Sequence, residues 1–183
     1  MLIFEGPDNS GKSTMASYIS YQFNIPVYHF GAPPRTAGEL RSRITSMFKV
    51  RHDFIFDRIP LISEPVYSLI KDVPLSEYIT EEDFEQLRAI RPIIVYCRPP
   101  DYVVLEKDCR TLKAHDEEEY LERIENNKRL LLNRYDEVMD LPVLPGHLTY
   151  DYTKQEHDLL LIELRKKLIE CGHYKHFNLK KGR

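Results

Sequence analysis

A chain of 183 residues, 42% hydrophobic and 30% charged, suits one globular domain with a full core, 1–183. No apolar run approaches a membrane span and no secretory signal pattern opens the chain, which predicts a soluble protein with no membrane partner. The net charge of −3 excludes a global basic field for nucleic acid, and three cysteines (Cys97, Cys109, Cys171) without metal spacing favour a reducing cytoplasm over a disulfide frame or zinc site.

The chain opens on Met1–Phe4, an apolar run of strand length. Gly6 to Thr14 follows, then Ser13–Phe23, which reads as a helix. Val27–Phe30 is a second strand, ending in the loop Gly31–Pro34. Residues 38–50 are predicted helical, with Leu40, Ile44 and Met47 on one face. Phe54–Phe56 is a third strand and runs into Asp57-Arg58. A proline-punctuated segment spans Pro60–Pro74. Thr80 and Asp83 open a helix through Ile90 that Arg91-Pro92 stops. Ile93–Cys97 is a continuous apolar run, as in a buried parallel strand. Asp101 opens a helix to about Lys113. A long helix, Glu117–Met139, carries Leu121, Ile124, Leu131, Tyr135 and Val138 on one stripe. His147–Tyr152 is a fifth strand and 154–171 a last amphipathic helix. Strands alternating with helices predict an α/β fold: a five-stranded parallel sheet with helices on both faces. Ligands then sit at the carboxyl ends of the strands.

Gly6-Pro7-Asp8-Asn9-Ser10-Gly11-Lys12-Ser13-Thr14 fits G-x-x-x-x-G-K-[ST] at every fixed position, between a strand and a helix. Gly6 and Gly11 permit backbone angles that let successive N–H groups curl around an anion. The helix beginning near Lys12 aims its positive end at the same point. Lys12 adds a mobile cation for the outer phosphates, and the Ser13 hydroxyl is a magnesium ligand. The nucleotide-binding set is therefore Gly6, Asn9, Ser10, Gly11, Lys12, Ser13 and Thr14, with ATP and Mg2+ as the expected cofactors. Asp57 ends a strand beside this loop, where a carboxylate organises magnesium or takes a proton from an attacking hydroxyl. Arg58 offers a planar fork for an acceptor phosphate. An exposed Asp-Arg pair with no such role is the alternative.

Phe4-Glu5-Gly6-Pro7-Asp8-Asn9-Ser10-Gly11-Lys12-Ser13-Thr14 resembles the opening of thymidylate kinases and their phage-encoded relatives. Phe56-Asp57-Arg58, then Ser63 and Tyr67, resembles the Asp-Arg-aromatic segment of that family. The resemblance implies a P-loop kinase fold. It implies that Asp8 contacts the acceptor's sugar hydroxyl, that Asp57 is the catalytic or magnesium-organising carboxylate, and that Arg58 contacts the acceptor and transferred phosphates. Ser63 and Tyr67 would line the acceptor pocket. Ile59 replaces the family's aromatic residue, Ser63 sits one residue late, and Lys12 and Asp57 lie closer together than in cellular thymidylate kinases. The segment His29–Arg35, combined with Asp57-Arg58, Ser63–Tyr67, Tyr96–Pro100 and Tyr150–Thr153, is closer to a compact phage branch. Its members are thymidylate-kinase-like and also resemble kinases of 5-hydroxymethyluracil in phage DNA. The location implied is the host cytoplasm.

Such kinases carry a lid after the fourth strand that supplies cations and excludes water. The segment 109–119 is the expected lid, and Arg110, ahead of Lys113 and Arg123, is the expected transition-state arginine. Arg98 follows a buried strand directly and is placed to reach the site. Tyr152 and Thr153 fall where the fold holds adenine. Three functions are in view. The first is an ATP-dependent kinase with a pyrimidine deoxynucleotide acceptor such as dTMP. The second is the same chemistry on a hydroxymethylated base in DNA, for which the basic stretch 35–51 is either a contact surface or a solvated helix face. The third is a nucleotide-binding ATPase or switch, against which strand four ends in Arg98 rather than aspartate. A homodimer is open.

Overall fold

Strand β1 (Leu2–Glu5) lies at the centre of a sheet of five strands, all paired in parallel. The order is β2 (Val27–His29), β3 (Ile55–Asp57), β1, β4 (Ile93–Cys97), β5 (His147–Tyr150). This computed structural model describes residues 1–50, 54–107 and 118–172. Side chains alternate across the pleat and sort into two cores. Leu2, Phe4, Ile55, Val95 and Cys97 face α1 (Lys12–Phe23) and α8 (His157–Glu170). Ile3, Phe56, Ile94 and Tyr96 face the opposite layer. That layer holds α2 (Ala37–Lys49), α3 (Pro60–Tyr67), α4 (Glu81–Ala89), α6 (Glu118–Asn126) and α7 (Lys128–Met139). A short α5 (Asp101–Glu106) follows β4. Both faces of the parallel sheet are covered, as the alternation of elements requires.

Several boundaries differ from expectation. The proline-punctuated segment contains α3: Pro60 sits in its first turn, where the missing N–H is no loss, and Pro65 is tolerated inside it. Leu61, Ile62 and Val66 are fully buried there, so tertiary packing outweighs the propensity of Pro65. The long helix is split at Asn127, which leaves helical geometry at φ −119° and ψ 16°. Its side-chain amide donates to the Arg123 carbonyl at 2.8 Å, a local bond that competes with the helical ladder. Strand β5 stops at Tyr150 because Asp151 turns the chain, accepting from the Thr153 amide at 2.9 Å and hydroxyl at 2.7 Å. Helix α8 accordingly starts at His157. Helix α5 ends at Glu106, and the rest of that expected helix, from 108, lies outside the described residues. Among the described residues no helix is long and apolar enough to cross a membrane.

Candidate functional site

The central strand delivers its carboxyl end directly into the phosphate loop. Gly6 has φ 146°, and a Cβ there would meet the Cys97 carbonyl oxygen at 2.4 Å, so the loop can leave the sheet only on a glycine. Gly11 caps α1 at φ 77°, and a Cβ there would meet the Tyr152 ring at 2.8 Å. No side chain caps this helix and its first turn holds no acid, so its amides are left for an anion.

Strand β3 sets Asp57 against the start of α1. The Lys12 ammonium is 3.1 Å from Asp57 Oδ1, and the Ser13 hydroxyl donates to Oδ2 at 2.6 Å. The His29 Nδ1 lies 3.2 Å from the same Oδ2, because β2 and β3 pair His29 opposite Asp57. Burial alone would raise the Asp57 carboxyl. Lys12, the Ser13 hydrogen bond and Arg58 outweigh it and hold the group below the usual carboxylate range. Burial and the neighbouring Arg58 push the Lys12 ammonium down.

Arg58 has φ 69°, uncommon for a residue with a side chain. Its backbone N–H donates to the Phe4 carbonyl at 2.9 Å, and its guanidinium to Asp8 Oδ1 at 2.8 Å and the Gly6 carbonyl at 3.3 Å. The Tyr67 hydroxyl donates to Asp8 Oδ2 at 2.9 Å, and the guanidinium carbon lies 5.0 Å from the Tyr67 ring centre. Asp8, Arg58 and Tyr67, distant in sequence, thus form one cluster beside the Lys12–Ser13–Asp57 cluster. Ser63 borders the same cleft, but its hydroxyl is turned onto its own helix, donating to the Ile59 carbonyl at 2.9 Å.

Beneath both clusters lies Glu5, with no exposed surface. Burial pushes its carboxyl up to about 8, against the lowering effect of the Ile59 amide bond, Arg58 and Lys12. A carboxyl raised in the folded state stabilises the fold fully below its ordinary value of 4.5 and loses that contribution as pH rises through about 8. Thermal unfolding of Glu5→Gln against the natural chain at pH 5 and pH 9 should therefore show the natural chain losing ground by on the order of 2–4 kcal/mol at the higher pH. A constant difference across that range would mean the carboxyl does not titrate there.

A cleft of about 970 Å³ joins these groups. Every phosphate-loop residue from Asp8 to Thr14 borders it, as do Asp57, Arg58, Ser63 and Tyr67. The sequence-predicted residues therefore converge, with these exceptions. Arg110, Lys113 and most of the expected lid lie outside the described residues. Arg98 does not reach the cleft. Its guanidinium makes a two-pronged pair with Asp136 at 2.8 and 2.9 Å and bonds Asp101 at 2.8 Å. Arg123 pairs with Asp72 and Glu119, each at 2.7 Å. In the basic stretch, Arg41 is paired with Asp83, whereas Arg43 borders the cleft while paired with Glu39 and donating to the Ala32 carbonyl. Sequence reasoning does not single out the cleft residues Lys107, Tyr120 and His157. Lys107 donates to the Tyr152 hydroxyl at 3.0 Å, and its carbonyl accepts from the Asn9 amide at 3.1 Å. No spacing signal marks any of them; only the sheet register brings His29 to Asp57.

The Ser13 hydroxyl and Asp57 carboxylate are hard oxygen donors, adjacent to each other at the mouth of the anion-binding loop. That set fits Mg2+, which takes one or two protein oxygens and completes its shell with phosphates and water. Among the described residues no cluster of three or more His, Cys, Asp or Glu forms an all-protein metal site.

No protein-family model matches the chain, and no curated protein does. Solved structures do. The YorR protein of Bacillus subtilis, in complex with phosphorylated GDP, is 22% identical, with 94% of this chain and 97% of that one covered and a TM-score of 0.67. Deoxyadenosine kinase from M. mycoides with bound dATP is 18% identical, with 91% and 98% covered and a TM-score of 0.55. Shikimate kinase from Acinetobacter baumannii, in complex with shikimate, is 15% identical, with 92% and 93% covered and a TM-score of 0.52. The likeness is one of fold: an α/β P-loop kinase fold, in agreement with the expected fold class.

Proposed function

We propose that the chain is an ATP-dependent phosphotransferase, a single kinase domain acting on a pyrimidine deoxynucleotide such as dTMP. The observation that carries this reading is the pair of clusters in one cleft. Lys12, Ser13 and Asp57 form one cluster, assigned here to the donor phosphates, and Asp8, Arg58 and Tyr67 form a second, assigned to the acceptor. A site for binding or hydrolysis alone has no use for the second cluster. The loop amides and Lys12 neutralise the donor phosphates and hold the γ-phosphorus in line with the acceptor. An acceptor phosphate oxygen forms the new P–O bond as the bond to the departing ADP breaks. Ser13 and Asp57 would hold Mg2+, which would supply charge neutralisation for the donor phosphates. Arg58, with Asp8, orients the acceptor, and Asp8 meets a sugar hydroxyl. Segment 109–119 is the lid, with Arg110 its transition-state cation.

The same chemistry on hydroxymethyluracil in DNA is less favoured, because Arg41 and Arg43 of the basic stretch are engaged in internal ion pairs. Arg58→Ala should raise the acceptor KM by about tenfold or more while the ATP KM moves less than about threefold. Steady-state kinetics with each substrate varied in turn measures this. An unchanged acceptor KM with normal turnover would remove Arg58 from the acceptor side.

A further inference from the structure

Glu5 is charged in most settings, yet here it is wholly enclosed at the end of the central strand. Burying a carboxyl is unfavourable unless it is hydrogen-bonded. Its Oε1 accepts from the Ile59 amide at 2.6 Å. Three consecutive residues of the donor strand and loop thus hold the acceptor arginine's turn. Phe4 takes the Arg58 amide through its carbonyl at 2.9 Å, Glu5 takes the next amide through its side chain, and Gly6 takes the guanidinium at 3.3 Å. Ile59 is also the residue before α3, in extended geometry at φ −127°, and its carbonyl accepts the first turn's amides. The Ile59 amide is the link between a left-handed Arg58 and a helix that carries Ser63 and Tyr67.

The geometry points to Glu5 as a positioning residue that locks the Asp57–Arg58–Ile59 turn and so aims the Arg58 guanidinium at Asp8. Glu5 touches neither cluster's reacting groups; it acts through Arg58. An apolar residue at position 5 would leave the Ile59 amide buried without an acceptor. The turn would then be free to relax from φ 69°, a conformation that a side-chain-bearing residue holds only when its surroundings over-determine it. Glutamine keeps the acceptor oxygen and is the conservative replacement. This inference rests on the acceptor role proposed above for Arg58.

The test uses the full chain as Glu5→Gln, Glu5→Leu, Arg58→Ala and the double variant Glu5→Leu/Arg58→Ala. Two readouts are taken: hydrogen-exchange protection of the Ile59 amide by NMR, and KM for dTMP and for ATP. Glu5→Leu should lower Ile59 protection and raise the dTMP KM, each by about tenfold, with the ATP KM within about twofold. Glu5→Gln should match the natural chain in both. In the Arg58→Ala background, Glu5→Leu should add nothing to the dTMP KM, since the two act as one unit. An unchanged dTMP KM in Glu5→Leu, or a further tenfold loss on top of Arg58→Ala, would overturn the assignment. If Glu5→Leu does not fold, Glu5→Gln decides: a tenfold rise in dTMP KM with Ile59 still protected would mean that Glu5 does not act by holding the Ile59 amide, and overturns the assignment. If the natural chain phosphorylates no nucleotide, the kinase reading fails. The Ile59 exchange comparison still tests the lock in that case, and unchanged protection in Glu5→Leu overturns it.

Discussion

Lys12→Ala is expected to lower kcat for phosphoryl transfer by about a thousandfold or more, with circular dichroism unchanged. Lys12 is 8% exposed, and its ammonium lies 3.1 Å from Asp57 and 3.5 Å from the Ser13 hydroxyl. It is the phosphate loop's own cation. Charge on the transferring group is most spread out at the transition state, so a fixed cation there contributes to rate more than to ground-state binding. Removing it also strips Asp57 of its main counter-charge, which raises that carboxyl toward the ordinary range and weakens its hold on a metal. Lys12→Met keeps the packing of the stem while removing the charge, and should fail equally. Either variant retaining most of its activity would remove Lys12 from the mechanism.

Asp57→Asn should lower kcat by about two to three orders of magnitude and raise the magnesium concentration needed for half-maximal rate. The substitution preserves shape and an oxygen able to accept from Ser13, so the loss reports on charge. Asp57 stands where three groups meet, Lys12, Ser13 and His29, all within 3.2 Å of its oxygens. Without its charge, Lys12 and Arg58, which both act on this carboxylate, lose a shared counter-charge. A magnesium titration of turnover in both proteins measures the effect. Unchanged magnesium dependence in Asp57→Asn would assign the carboxylate to acceptor contact rather than metal.

Much of this site is legible in the amino-acid sequence. The phosphate loop is a local motif: its glycines, lysine and serine act within one turn of chain, so spacing alone reveals them. Asp57 and Arg58 are legible because a short apolar run ends on them, and strand ends in parallel sheets collect function. The five strands follow from apolar runs too short for helices. The features that escape the sequence share a physical cause, which is that they depend on tertiary packing. Helix α3 holds two prolines, and only the burial of Leu61, Ile62 and Val66 overrides Pro65. His29 meets Asp57 through sheet register, which no spacing along the chain encodes. Arg98 has the right position at a strand end but is captured by Asp136 on α7, a partner chosen by helix packing. Glu5 reads as the residue that merely precedes the loop, and its bond from the Ile59 amide is a tertiary contact that no spacing encodes.

The central claim is phosphoryl transfer to a nucleotide acceptor. Its most direct test is incubation of the full chain with γ-labelled ATP and Mg2+ against a panel of nucleosides, nucleoside monophosphates and hydroxymethyluracil-containing DNA. Transfer of label to a pyrimidine deoxynucleotide such as dTMP, abolished by Lys12→Ala, is the predicted result. Release of labelled phosphate to water at a rate that no acceptor changes would contradict it.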